Sequence, residues 1–471
     1  MLKNLLSYKG QSIHEAWKKI NENAKGFVFV LDQSDKIAGV LTDGDIRRFM
    51  LSGGSISEGV EKVIKENFIY AKKDETPEEI FSKLSSKIKV IPIVDADFKL
   101  VDYAEYKSDL KIPVAQPDLI GNELKYLTDA LLSTWISSSG HYLNRFQDEF
   151  ASYCGMKHGL AVSNGTVALQ LALLTLGVGE GDEVIIPDLT FAATINAVLY
   201  TGAKPVLVDV KEDSWCIDPN EIEKAVTPKT KAIIPVHLYG QPADMDPIMD
   251  IAVKNDIYIV EDCAEAHGAE YKGRKVGSFG DINCFSFFGN KVITTGEGGM
   301  CLTNNEVFLE TMKTLKNHGM SKNKKYWHDT IGYNFRMTNL QAAVGVAQLE
   351  RIENILKEKQ NIEDNYKKAL SGNNHILFQP ELLDRKKIIW LVTAIVDGNR
   401  DALIDVMQKN GIDARPMFYP LSEMPIYEEY TFSNSVSKKI SAKGISFPTN
   451  KAVNAQVFRK VKETCNEFYK I

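Results

Sequence analysis

The chain has 471 residues, 56 Lys plus Arg against 62 Asp plus Glu for a net charge of −6, and 44% hydrophobic residues. That length is enough for roughly two to four domains, and the mildly acidic balance without a basic block excludes a nucleic-acid-binding surface. No apolar run approaches the roughly 20 residues that cross a bilayer, which predicts no contact with a membrane.

The N-terminus, MLKNLLSYKGQS, has no extended apolar core and no small-residue cleavage site. Six cysteines, Cys154, Cys216, Cys263, Cys284, Cys301 and Cys465, show no C-x-x-C spacing. A reducing, cytoplasmic location is therefore expected, with no structural metal site.

In chain order, GFVFVLDQSDKIAGVLTDGDIRRFM (26–50) predicts a strand, an Asp/Ser turn, a second strand and a helix opened by Asp43, Gly44 and Asp45. A weaker copy, KVIPIVDADFKLVDYAEYKSD (89–109), sets Asp95 63 residues after Asp32, and helix-like stretches, SIHEAWKKI and TPEEIFSKL, precede the two copies. Such a duplication predicts a paired module over residues 1–108. The copies resemble a pair of cystathionine-β-synthase (CBS) motifs. The resemblance implies that Gly39, Thr42 and Asp45, in the pattern G-x-x-T-x-x-D, hold the ribose of an adenine nucleotide. The second copy carries Asp102, Glu105 and Ser108 instead, so one site at most is intact. Thr42 and Asp45 suit a plain helix cap equally well, and the two roles are compatible.

From SDLKIPVAQPDLIG (108–121), Pro113 and Pro117 interrupt periodicity as a linker or extended arm would. Short apolar runs then alternate with helical stretches: DEVIIPD, KPVLVDV, KAIIPVHLYG, DIYIVEDCAEA, INCFSFFG and GGMCLTN. This alternation predicts an α/β domain with a mostly parallel sheet over residues 109–345. A long charged helix, QLERIENILKEKQNIEDNYKKAL (348–370), is predicted next, within a smaller α+β domain over 346–471.

Three stretches carry chemistry. GLAVSNGTVALQLALLTLG (159–177) reads as a strand ending at Ser163 and a helix beginning near Thr166. Its N-terminus suits a phosphate, although S-N-G-T also makes an ordinary cap. IYIVEDCAEAHGA (257–269) places Glu261 and Asp262 at the carboxyl edge of a parallel strand, where open α/β sheets bind ligands. A buried aspartate there needs a cationic partner. CFSFFGNKVITTGEGG (284–299) sets Lys291 behind Phe285, Phe287 and Phe288 and ahead of Gly296, Gly298 and Gly299. Lysine is rarely buried without a reason. Together these features form the set required by pyridoxal 5′-phosphate (PLP). An amine makes the Schiff base, a carboxylate keeps the ring nitrogen protonated, and a helix start holds the phosphate.

From about Ile112 to Ile471 the chain resembles the sugar aminotransferases of the DegT/DnrJ/EryC1/StrS family. The motifs are STWISSSG, SNGTVALQLAL, PDLTFAATINAV, PVHLYGQPADMDPI, EDCAEAHGAEYKG, SFFGNKVITTGEGGM and GYNFRMTNLQAAVGVAQLERI. The resemblance implies the type I aminotransferase fold, a large α/β/α domain plus a small α+β domain. It further implies that Lys291 bonds the cofactor and shuttles protons, and that Asp262 pairs with the pyridinium. Phe191 would stack on the ring, and Gly165, Thr166 and Ser286 would hold the phosphate. Asn334 would reach the phosphate from a second subunit, which implies a homodimer with shared active sites. Glu265 stands near the ring hydroxyl, where many relatives carry glutamine. His318 would lie near the sugar, and Tyr326, Trp327 and His328 with Arg415 would form a mobile lid. Arg415 would also suit a donor carboxylate or a pyrophosphate. His237 and His267 are expected to satisfy local hydrogen bonds, and Trp215 and Trp390 to serve in core or interface.

The narrower likeness is to perosamine-synthase-type members, which transaminate the C4 ketone of a nucleotide-linked 4-keto-6-deoxyhexose with an amino acid such as glutamate. A lysine rather than a histidine at 291 argues against the sugar dehydratases of the same family. Two alternatives stay open: an aminotransferase of another small ketone (a keto-cyclitol or a phosphorylated three-carbon ketone), and a non-catalytic scaffold regulated through the CBS pair.

Overall fold

The computed structural model describes residues 2–471 apart from 24, 65, 66, 77, 78, 81, 82, 85–87, 106–111 and 431–435. The chain divides into two compact units, Met1–Leu110 and Lys111–Ile471. The expected boundary at 108/109, and Ser108 with it, lies outside the described residues.

The second unit is organised by a seven-stranded sheet. In chain order its strands are β1 (His158–Val162), β2 (Glu183–Pro187), β3 (Lys204–Val208), β4 (Thr230–Ile233), β5 (Tyr258–Asp262), β6 (Ile282–Ser286) and β7 (Gly299–Thr303). They lie in the order β1-β7-β6-β5-β4-β2-β3. β7 runs antiparallel to both neighbours, and the remaining pairs are parallel. Layers on both faces explain why β6 and β7 are buried at every position. The helix Gly165–Thr175 is apolar all round and buries Ala168 to Leu173, as a helix enclosed on every side must.

The predicted long helix at 348–370 is two helices, Asn339–Leu349 and Ile352–Ala369. The break aims side chains at the N-terminal arm. Gln348 donates to Asp118 O and to Glu123, Arg351 pairs with Asp118, and Glu350 accepts from Asn122, Tyr126 and Arg145. One continuous helix would not turn all three residues toward this segment. Toward the C-terminus, an antiparallel sheet in the order Ile376–Phe378, Val392–Val396, Gly444–Phe447, Arg415–Pro416 packs under three helices. Its core is built on Tyr366, Leu403, Met407, Phe447 and Val461.

The first unit repeats one pattern. Leu6–Tyr8, Phe27–Leu31 and Ile37–Thr42 form a parallel then antiparallel set, and Ala71–Lys72, Val90–Val94 and Leu100–Glu105 form the same set. Asp32 Oδ1 accepts the N–H of Ser34 and Lys36, and Asp95 Oδ1 accepts those of Asp97 and Lys99. Both turns end in a left-handed residue, Asp35 at φ 59° and Phe98 at φ 63°. That conformation disfavours Phe98, whose ring packs edge-on to Tyr70 at 4.9 Å. The two turns meet, with Lys36 bridging Lys99 and Ile37 N–H donating to Phe98 O. The helix expected over TPEEIFSKL falls partly outside the described residues.

Candidate active site

The site gathers where β1, β4, β5 and β6 end, on the carboxyl edge of the parallel sheet. Asp262 closes β5. Its Oδ2 accepts from Thr194 Oγ1 at 3.0 Å and its Oδ1 from Ala264 N–H at 3.2 Å. Both donors are neutral, and among the described residues Asp262 has no ion-pair partner. Burial pushes its carboxyl up, against the pull of Ala264, Thr194 and the Lys291 charge. A strand-end carboxylate held by neutral donors alone suits a cationic ring nitrogen.

Lys291 sits in the loop after β6, which Phe287 N–H to Gly298 O and Thr295 N–H to Phe287 O pin closed. Its side chain is 12% exposed, with Nζ 3.6 Å from Glu265 Oε1. The same Nζ lies 4.1 Å from the centre of the Trp390 ring. Phe285, on β6, and Phe287, just after it, pack into the core against Phe150, and Phe288 is exposed.

Glu265 is buried, and its Oε2 accepts Tyr239 N–H at 2.9 Å. Burial, reinforced by Asp262 and opposed by Lys291, pushes its carboxyl up to about 7. Tyr239 holds a left-handed backbone, φ 52°. The neighbouring Gly240 has φ 88°, and a Cβ there would meet Ile388 O at 2.1 Å. Gly240 therefore admits the 388–390 segment, and Trp390 stacks on Tyr239 at 5.5 Å and 23°.

At the other end, Asn164 caps the helix Gly165–Thr175 through Val167 N–H. Among the described residues, the N–H groups of Gly165 and Thr166 have no acceptor. A Cβ on Gly165 would stand 2.7 Å from Ser286 Cβ, so the Ser286 side chain lies directly against these open donors. Phe191, 58% exposed, begins the helix Ala192–Leu199 and meets the Phe418 ring at 5.6 Å.

His237 and Glu261 brace the edge from behind. His237 Nε2 donates to Glu261 at 2.9 Å, and its Nδ1 accepts Ala243 N–H at 3.0 Å. Glu261 also accepts the N–H groups of Gly277, Phe279 and Gly280. Burial acts upward on this carboxyl, but His237 and the loop donors outweigh it and hold it below the usual range. His237 thus satisfies local bonds, as expected. His267 differs: it is buried against Phe150, Phe285 and Phe287. Among the described residues, neither ring nitrogen has a hydrogen-bond partner. Burial, with the Lys291 charge adding to it, pushes this imidazole down to about 3, so the ring is neutral.

Among the described residues, no hydrogen bond, ion pair or ring contact links His318, Tyr326, Trp327 or Arg415 to Lys291, Asp262 or Glu265. His318 O accepts from His328 Nδ1, Trp327 lies under Lys324, Tyr326 is exposed beside Lys325, and Arg415 pairs with Asp413. Asn334 is exposed and accepts from Arg336. Trp215 is buried in the core. Trp390 is in the same core, as expected, and its ring also faces Lys291. The sequence gives no sign of that second contact, nor of the places of Tyr239, Thr194 and Phe418 at the site.

A buried carboxylate held by neutral donors, a reachable amine and open helix-start donors fit PLP. An α/β sheet presenting that set at its carboxyl edge defines a PLP-dependent aminotransferase of the type I fold. A model described as the DegT/DnrJ/EryC1/StrS aminotransferase family matches residues 117–466, and a CBS-domain model matches 8–52. The chain belongs to the DegT/DnrJ/EryC1/StrS aminotransferase family. It is 44% identical to the GDP-perosamine synthase of Escherichia coli O157:H7 over 360 residues, 76% of this chain and 98% of that one. Among solved structures it is similar to DesV of S. venezuelae, with TM-score 0.70 and 34% identity, covering 74% of this chain and 95% of that one. It is also similar to the PLP form of the putative sugar aminotransferase Spr1654 from Streptococcus pneumoniae, with TM-score 0.70 and 28% identity over 75% of this chain and 99% of that one.

Proposed function

We propose that the enzyme moves an amino group from glutamate to the C4 ketone of a nucleotide-linked 4-keto-6-deoxyhexose, with GDP as the carrier nucleotide. What supports the reaction class is the buried Asp262, held among the described residues by neutral donors alone, with an amine beside Glu265 on the same edge. What supports the substrate is the likeness to GDP-perosamine synthase along nearly that enzyme's whole length.

PLP supplies an electron sink and carries the amino group between two half-reactions. The chain's own residues do the rest. Lys291 Nζ moves the proton in each half-reaction, acting first as base and then as acid. Asp262 keeps a positive charge on the ring nitrogen. Gly165 and Thr166 N–H and the Ser286 hydroxyl would hold the phosphate, and Phe191 would stack on the ring. Residues 109–345 form the cofactor domain, and 346–471 the domain that brings Trp390 and Phe418 to it.

A homodimer completes the site, with Asn334 reaching the partner's phosphate. The helix Glu123–Leu132 leaves Leu124, Leu127, Leu131 and Leu132 exposed, and Leu119, Ile120, Trp135 and Ile136 continue that apolar surface. Patches of this kind mark association surfaces. His318, Tyr326, Trp327 and Arg415 are assigned to the sugar nucleotide side.

In the first unit, Gly39, Thr42 and Asp45 are assigned to an adenine nucleotide. Thr42 and Asp45 already form a complete capping box, and Arg48 pairs with Asp45, so nucleotide binding there requires Arg48 to swing away. A rise in Tm with AMP or ATP supports this assignment, and no rise with either leaves the cap alone. A cytoplasmic location is proposed on the six free, buried cysteines, which fit a reducing compartment. Among the described residues no helix is long and apolar enough to cross a membrane.

The test is glutamate-dependent amination of GDP-, UDP- and dTDP-linked 4-keto-6-deoxyhexoses. The GDP sugar is expected to give the highest kcat/KM. Failure of all three to yield 2-oxoglutarate would overturn the substrate class.

A further inference from the structure

Trp390 is not used by the chemistry above, yet its indole faces the one amine on which that chemistry depends. Nζ of Lys291 lies 4.1 Å from the ring centre, with Glu265 Oε1 3.6 Å away. Tryptophan is the best of the aromatic partners for an ammonium, and the attraction grows when the pair is desolvated. Trp390 is 4% exposed.

The ring is held in place by several bonds. Its Nε1 donates to the carbonyl of Asn290, the residue before Lys291, at 2.8 Å. Its own carbonyl accepts Lys359 Nζ at 3.1 Å. Its face stacks on Tyr239, whose N–H donates to Glu265. Lys291, Glu265, Tyr239 and Trp390 therefore form a closed circuit, with Tyr239 joined to Glu265 through its main-chain N–H and to Trp390 through its ring.

We propose that Trp390 is a positioning residue for Lys291: its indole face, with Glu265 beside it, is the seat to which the free Lys291 ammonium returns whenever the amine is not bonded to the cofactor. The inference rests on the reading that Lys291 is the bonding lysine. A free lysine chain with several rotatable bonds would otherwise disperse over many rotamers. The seat keeps Nζ within reach. The groups facing Nζ are Glu265, Asp262 and the neutral His267, while Lys359 lies behind Trp390 on its main-chain side. Removing the indole frees the side chain to disperse, so the amine is presented to the incoming aldehyde in fewer of the molecules.

The experiment measures the rate at which PLP loads onto the cofactor-free protein, followed by visible absorbance at one fixed pH, for wild type, Trp390→Leu and Trp390→Phe, with the Tm of each cofactor-free protein measured alongside. Trp390→Leu is expected to lower the loading rate about tenfold. Trp390→Phe, which keeps an aromatic face, is expected to recover part of that rate. A purely structural role would lower Tm and leave the loading rate of the folded protein unchanged. If Trp390→Leu does not fold, Trp390→Phe decides, with a rate below wild type expected. A loading rate equal to wild type in the folded variants overturns the proposal. Loading that persists in Lys291→Ala would instead remove the reading on which it rests.

Discussion

Lys291 Nζ and the Glu265 carboxylate stand 3.6 Å apart, and the acid is almost wholly buried. In the cofactor-free protein, burial dominates over the lysine's pull and raises that carboxyl from 4.5 to about 7. The folded state then binds this proton more tightly than the unfolded chain does. This contribution to stability is fully present below 4.5 and is lost as pH rises through about 7. Glu265→Gln removes the titration. Denaturant unfolding of the cofactor-free proteins at about pH 5 and about pH 8 is expected to shift in the variant's favour by roughly 2–3 kcal/mol on going to the higher pH.

Among the described residues, Thr194 and Ala264 alone donate to the Asp262 carboxylate, so its charge is free to serve the ring nitrogen. Asp262→Asn keeps the shape and removes the charge. The lysine-bound cofactor is expected to form still, while kcat falls on the order of 10²–10³. Absorbance of the loaded protein and steady-state kinetics on the same sample separate the two effects.

Gly165 has no room for a side chain, since a Cβ would press on Ser286 at 2.7 Å. Gly165→Ala is expected to displace the helix start from Ser286 and to weaken PLP binding about tenfold, a cost of roughly 1.4 kcal/mol. Equilibrium dialysis against PLP measures it, and thermal unfolding of the cofactor-free variant checks that the fold persists.

The exposed leucines of Glu123–Leu132 are assigned to a subunit interface. Leu124→Glu combined with Leu131→Glu is expected to yield a monomer by light scattering and to lose most activity together with the second subunit's Asn334. A monomeric wild type would contradict the shared site.

What was readable from the sequence was local. Asp262 and Lys291 each follow an apolar run, so strand and strand-end chemistry sit in one short stretch. The helix start at Gly165 and Thr166 was visible for the same reason, and so was the repeated Asp32 and Asp95 turn. Trp390 was not, because it reaches Lys291 from about a hundred residues away, through the close approach of Ile388 to Gly240. The break near Arg351 was hidden too: its cause is the arm around Asp118 and Glu123, which helix propensity does not register.

The most direct measurement is peptide mass spectrometry after borohydride reduction of the PLP-loaded protein. A reduced pyridoxyl phosphate on Lys291 is expected in the wild type, with no labelled lysine and no turnover in Lys291→Ala. A label on any other lysine, or turnover surviving in that variant, would contradict the assignment.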